Sequence, residues 1–185
     1  MFETQLKAGK VGESQIAQWL KSRGYNILPI YEIEKGQYAG PAVYTADNNK
    51  IIAPDMLVFK DEKVIWVEAK HKNAFTWHRM SEQFVTGIDL NHYFDYQKIA
   101  KIVVWPVWIL FLHREGIAKN SHQGPTGLFG NDLKYLIKHE NHRHKNWGKH
   151  GMVYWAVEHL KKIADYPLDL ESLKAKCHVR LVSIQ

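Results

Sequence analysis

The 185-residue sequence predicts an α/β domain in which a central sheet is flanked by helices. Apolar residues recur at helical spacing in residues 11–24 and again in 81–103, whereas the apolar runs at 53–72 and 106–113 have the lengths and flanking turn formers of strands. The run at 53–72, APDMLVFKDEKVIWVEAKHK, describes a hairpin that is apolar on both faces. Leu57, Phe59, Val64 and Trp66 lie on one side and Met56, Val58, Ile65 and Val67 on the other, so it belongs in the middle of a covered sheet. No repeat or linker divides the chain, and its length suits one domain over residues 1–185 with a sizeable core.

Taken in order, VGESQIAQWLKSRG (11–24) places Ile16, Ala17 and Leu20 on one stripe and ends at Gly24, a good helix stop. YNILPIYEI follows as a strand with an irregularity at Pro29, then AVYTADNNKIIA as two short strands around the turn formers Asp47, Asn48 and Asn49. The 53–72 hairpin turns at Asp61 and Glu62. Residues 81–103 read as helical, with Asp89 as a cap and Tyr93, Tyr96, Ile99, Ala100 and Val103 on one face. PVWILFLH is a buried strand. Arg114 to His150 is rich in Gly, Asn and His, with a short helix at NDLKYLIKH, and MVYWAVEHL is a late strand before a polar tail.

Composition bounds the function. Hydrophobic residues make up 45% and charged residues 24%, an ordinary globular balance that argues against disorder. Cys177 is the sole cysteine, which excludes an internal disulfide and a four-cysteine zinc cluster and suits a reducing, intracellular compartment. The opening residues lack the apolar core of a signal peptide, so no leader is expected. IVVWPVWILFL is shorter than the roughly 18 residues a span needs and is broken by Pro106, so it reads as core. A net charge of +6 favours a polyanionic partner, either nucleic acid or an anionic membrane surface.

Two acids interrupt the hairpin's apolar pattern. A turn at Asp61 and Glu62 pairs Lys60 with Lys63 and sets Asp55 opposite Glu68, with Cβ atoms about 5 Å apart on one face. Lys70 shares that face, as does Lys72 if the strand continues. Like charges this close inside a covered sheet are costly unless a cation neutralises them, and carboxylate oxygens suit Mg²⁺ or Mn²⁺. A divalent ion beside Lys70 points to phosphodiester hydrolysis, the ion activating water and the ammonium orienting the nucleophile or stabilising developing charge. The spacing alone leaves a second possibility open, in which Asp55 ends a turn and Glu68 pairs with Lys70 at a sheet edge.

Pro54-Asp55, twelve intervening residues and Glu68-Ala69-Lys70 together resemble the PD-(D/E)xK motif of the restriction-endonuclease-like nuclease superfamily. The chain is similar above all to its Holliday-junction-resolvase-like and small phage nuclease branches, where segments like EAKHK, FTWH and a GID…Y helix follow in this order. The resemblance spans about residues 9–113 and implies a mixed central sheet, with residues 114–185 as a basic elaboration. It implies Mg²⁺ bound by Asp55, Glu68 and the Ala69 carbonyl, Lys70 as the catalytic lysine, and Glu13 as a further acid from the first helix. Gln83, Tyr93 and Tyr96 are candidates for a residue near the phosphate on the second helix. Helical spacing also places Glu13 on the stripe of Ile16, Ala17 and Leu20, an inward position where an unpaired acid is costly; the alternative is a first-turn acid favoured by the helix dipole.

His71, Lys72, Trp77, His78 and Arg79 follow the catalytic strand and mix cations with rings suited to phosphates and bases; the alternative is that Phe75 and Trp77 are core and the cations are solvated. The segment 138–150 carries His139, His142 and His144 with Arg143 and Lys145, for which a phosphate-gripping loop, a solvated loop and a zinc site are the alternatives. Cys177 reads as core, and no phosphate-cradling Walker motif is present. The expected activity is a Mg²⁺- or Mn²⁺-dependent deoxyribonuclease acting on DNA, with RNA open as substrate, a homodimer as a candidate assembly and no membrane association. Its rival is a non-cleaving nucleic-acid-binding module on the same fold.

Overall fold

Gly24, at φ 83°, closes the first helix, α1 (Phe2–Ser22). Its N–H donates to the Lys21 carbonyl at 2.9 Å and the Tyr25 N–H donates to the Leu20 carbonyl at 3.1 Å, which satisfies carbonyls left open at a helix end. The computed structural model describes the backbone of residues 2–29, 32–34, 37–39, 41–117, 122–146 and 150–171, and side chains from 12 onward within those segments except 32–34 and 37–39. Cys177 lies outside the described residues. Because α1 begins at Phe2, Glu13 is in mid-helix, and the first-turn dipole explanation for it falls away.

The chain continues through β1 (Asn26–Pro29), the hairpin β2 (Glu32–Glu34) and β3 (Gln37–Ala39), and the hairpin β4 (Ala42–Tyr44) and β5 (Lys50–Ile52). Then come β6 (Met56–Lys60), β7 (Lys63–Lys72), β8 (Thr76–His78), β9 (Gln83–Asp89), α2 (Leu90–Ile102) and β10 (Val107–His113). The last elements are β11 (Gly127–Asp132), α3 (Leu133–Lys138), β12 (His142–His144), β13 (Met152–Ala156) and β14 (Lys161–Ala164).

The main sheet has six strands in the order β1-β6-β7-β10-β11-β14. It is mixed: β7 and β10 run parallel and every other neighbour is antiparallel. A four-stranded antiparallel sheet, β12-β13-β9-β8, packs with α2 and α3 on one side of it. That side is filled by Trp66, Tyr93, Tyr96, Ile109, Phe111, Phe129, Leu133 and Trp155. On the other side α1 contributes Ile16, Trp19 and Leu20 against Met56, Val58, Val67, Ala69, Leu110 and Leu112. No helix among the described residues is long and apolar enough to cross a membrane.

The expected helix over 81–103 is corrected by the structure: residues 83–89 form β9 and the helix starts at Leu90. Phe84, Val85, Thr86 and Ile88 favour a strand, and at Gly87 the Val153 carbonyl comes within 2.1 Å of where a Cβ would sit, so only glycine fits. Strands β11 and β14 lay outside the expected elements because Gly127 and Gly130 interrupt one pattern and exposed lysines the other.

Gly12 shows how closely α1 lies on β7, since a Cβ there would meet the His71 Cβ at 2.2 Å. Glycine in a helix normally costs about 1 kcal/mol relative to alanine. Here overpacking of about 1–3 kcal/mol opposes that gain, so Gly12→Ala should lower the melting temperature. His71→Ala keeps the clashing Cβ and should recover little of the loss, whereas His71→Gly removes it and should offset part of it, as read by thermal denaturation of the single and double variants.

His113 is fully buried and stacks on Phe75 with ring centroids 3.7 Å apart. Burial, reinforced by the Lys72 charge, pushes its imidazole down to about 3 from the ordinary 6.5. The unfolded chain therefore binds a proton below pH 6.5 that the fold refuses, and stability falls on acidification towards pH 3, by up to about 1.4 kcal/mol per pH unit from this group. The decline between pH 6.5 and 5 should flatten in His113→Phe when melting temperature is followed against pH. An unchanged slope would mean that another group sets it.

Candidate active site

Short-range register brings the central residues together. Asp61 and Glu62 adopt φ of 48° and 64° and form the tight turn between β6 and β7. The ladder then runs from Lys60↔Lys63 to Met56↔Val67, and one further step places Asp55 against Glu68, the register expected from the sequence. Asp55 Oδ2 accepts the Ala69 N–H at 2.8 Å. A strand residue's N–H and C=O leave along the same edge, so the Ala69 carbonyl also points towards Asp55.

Side chains alternate along β7. Val67 and Ala69 pack with α1, and His71 contacts it at Gly12, whereas Trp66, Glu68, Lys70 and Lys72 project towards α2. Glu68 is 1% exposed and forms an ion pair with Lys70. Apart from that ammonium, both carboxylate oxygens are buried without a donor in full hydrogen-bond geometry. Burial and the Glu68 charge push Asp55 up to about 8, against the opposing pull of Lys70 and the Ala69 N–H. Burial alone would lower Lys70, but Glu68 and Asp55 outweigh it and hold the ammonium firmly protonated.

Tyr96 and His92 reach the same face from α2. Burial first, and then the charge and hydrogen-bonding influence of Glu68, raise the Tyr96 phenol well above its ordinary value. Burial and the Lys70 charge lower the His92 imidazole. Lys72 is likewise lowered by burial and Lys70, with Asp89 opposing. Glu13 is in electrostatic reach of Asp55 and Lys70 but has the smallest influence among the causes acting on each. Among the described residues no three His, Cys, Asp or Glu side chains are grouped as metal ligands, so the three-acid set with Glu13 is not assembled in this conformation.

The remaining candidates are dispersed. His71 is on the α1 face, away from the acids. Trp77 packs edge-on against Phe84 and stacks on His122, and His78 stacks on His142, which stacks in turn on Tyr154. Arg79 and Lys145 are exposed. Arg143 is tied to Glu140 by bonds of 2.6 and 2.8 Å and sits over the Tyr93 and Phe94 rings. Tyr93 bonds to Glu140, and Gln83 to Glu158 and Asn141. His139 stacks on Tyr135 and His159 and His142 stacks on His78, and among the described residues no three such side chains group as the zinc alternative requires. His92 was missed in the sequence, although its spacing of four from Tyr96 is a usable signal for a shared helix face.

No protein-family model matches the chain, and no curated protein matches it significantly. Among solved structures it is similar to Hjc, a Holliday junction resolvase from the archaeal hyperthermophile Archaeoglobus fulgidus, at 8% identity over 82% of this chain and 90% of that one, with a TM-score of 0.46. At that score the chemistry is argued from the residues alone.

The electrostatics make a directional prediction. In a carboxyl-resolved NMR titration without divalent ions, Asp55 should titrate near 8. Glu68→Gln should move it down by removing the neighbouring charge, and Lys70→Met should move it up by removing the compensating one. Movement in the opposite sense in either variant would refute the coupling.

Proposed function

We propose that this protein is a divalent-metal-dependent nuclease that hydrolyses DNA phosphodiester bonds. The observation that carries this reading is the placing of two carboxylates, Asp55 and the buried Glu68, on one face beside the single ammonium of Lys70. Two carboxylates and the Ala69 carbonyl are hard oxygen donors that suit Mg²⁺ or Mn²⁺ and leave further positions to water and phosphate. Bound there, the ion would supply a water of lowered pKa and positive charge against a phosphoryl oxygen. The PD-(D/E)xK resemblance implies the same residues, and Glu13 is within electrostatic reach of Asp55 and Lys70.

The residues then divide the work. Lys70 stays protonated, so it is unsuited to act as a base; its ammonium orients the attacking water or donates to a non-bridging oxygen as charge develops there. The water gives up one proton to solvent as its oxygen bonds to phosphorus, the P–O ester bond opposite breaks, and the departing oxygen takes a proton from solvent. Lys72 lies farther along the face, where it can meet an adjacent phosphate. Trp77, His78, Arg79, Arg143 and Lys145 would serve as separate outer contacts to the nucleic acid, Arg143 by exchanging Glu140 for a phosphate. In this reading residues 1–185 form one domain, a homodimer would present the two sites needed to cut both strands, and the protein works inside the cell.

One observation favours a second reading. The Lys70 ion pair already compensates Glu68, as it would in a binding module that keeps the fold without cutting.

Linear duplex, single-stranded, flap and four-way-junction DNA incubated with Mg²⁺, Mn²⁺ or EDTA separates the two. Metal-dependent cleavage should fall at least about 100-fold in Asp55→Ala and Lys70→Ala, the scale of losing a principal electrostatic contact. Binding without cleavage under every metal would establish the non-cleaving module instead.

A further inference from the structure

Helix α2 places His92 and Tyr96 one turn apart on the same face, with the imidazole Nδ1 3.5 Å from the phenol oxygen. Tyr96 is 1% exposed, so its hydroxyl has little access to water and needs a partner within the protein. The buried Glu68 carboxylate, whose oxygens have no donor in full hydrogen-bond geometry, is close enough to raise the phenol by charge and hydrogen bonding, and Asp89, Asp95, Glu68 and Lys70 are the charged groups facing His92.

We infer that Tyr96 and His92 are positioning residues for Glu68: Tyr96 donates its O–H to the carboxylate and His92 donates Nδ1–H to the phenol oxygen. The inference rests on the metal site of the nuclease reading and concerns how that site is held.

A phenol has one proton to give. An ionised carboxylate is a stronger acceptor than a neutral imidazole nitrogen, so the proton goes to Glu68. The phenol oxygen then retains lone pairs and can only accept from His92, which assigns the hydrogen on that ring to Nδ1. The resulting chain, imidazole to phenol to carboxylate, has every bond pointing towards the acid. Lys70 engages Glu68 from the same strand, while Tyr96 engages it from the opposing helix. A carboxylate gripped from both sides presents its remaining lone pairs in a fixed direction. Partners of this kind commonly set metal affinity by about 10–100-fold without touching the ion.

The test measures binding of Mn²⁺ alone to the full chain, by calorimetry and by the spin resonance of free Mn²⁺, with no substrate present. Tyr96→Phe keeps the ring and removes the donor, and it should weaken Mn²⁺ binding by about 10-fold or more. His92→Phe should weaken it about threefold or more. His92→Gln, whose side-chain amide can donate, should bind within about twofold of the wild type. Melting temperature and circular dichroism establish that each variant is folded. Wild-type affinity in the two Phe variants would overturn the inference and leave the metal site intact, whereas a Gln variant as weak as His92→Phe would overturn the role of His92. A wild-type protein that binds no Mn²⁺ would overturn the metal site itself, and the inference with it.

Discussion

The parallel ladder between β7 and β10 places β7 in the interior of the sheet, with α1 over one face and α2 over the other. The middle of that strand, Trp66 to Ala69, is buried, so a polar residue there must be satisfied by the protein or its ligand. Glu68, Lys70 and Lys72 all project to the α2 side, and Asp55 arrives there from the end of β6. Asp55 displaced from its ordinary value to about 8 represents on the order of 4 kcal/mol of lost stability at pH 7. That is a large share of the 5–15 kcal/mol by which a typical domain is stable (roughly). Packing alone gives no reason to keep such a cluster, and a site that violates the rules of a good core is where function is expected.

The cluster is built in two stages of different range. Asp55, Glu68 and Lys70 are set by a tight turn and a strand register, so their relation is local and was readable once Asp61 and Glu62 were taken as the turn. The limits of that legibility are physical. Glu13 belongs to α1, and its approach depends on Gly12 seating the helix on His71, a tertiary contact that no local pattern encodes. His92 was legible in principle from its spacing to Tyr96 but lay off the apolar stripe that drew attention to the helix. Arg143 pairs bidentately with Glu140, and because Glu140 lies in the loop before β12 rather than in a helix, no helical spacing announced that pair. Fold elements failed for a related reason. In β9 the apolar residues suit both periods over a short window, and in β11 Gly130, which allows close approach to Ile109 and Leu110, and Gly127, which allows it to Ala164, erase the strand signal.

The same face of β7 holds two lysines in opposite electrostatic conditions. Lys70 is flanked by Glu68 and Asp55, which keep it charged despite burial. Lys72 is two residues farther, where burial and Lys70 itself disfavour its charge and Asp89 only partly restores it. The charge along the strand therefore changes from a compensated acid cluster to an undercompensated cation. A phosphate beside Lys72 would supply the counter-charge that Asp89 does not. A divalent ion held by Asp55 and Glu68 would release the proton that burial keeps on Asp55 and would add positive charge to the same face, where a phosphate could share it. Metal and substrate would then favour each other's binding, because each relieves an imbalance that the folded chain leaves in place.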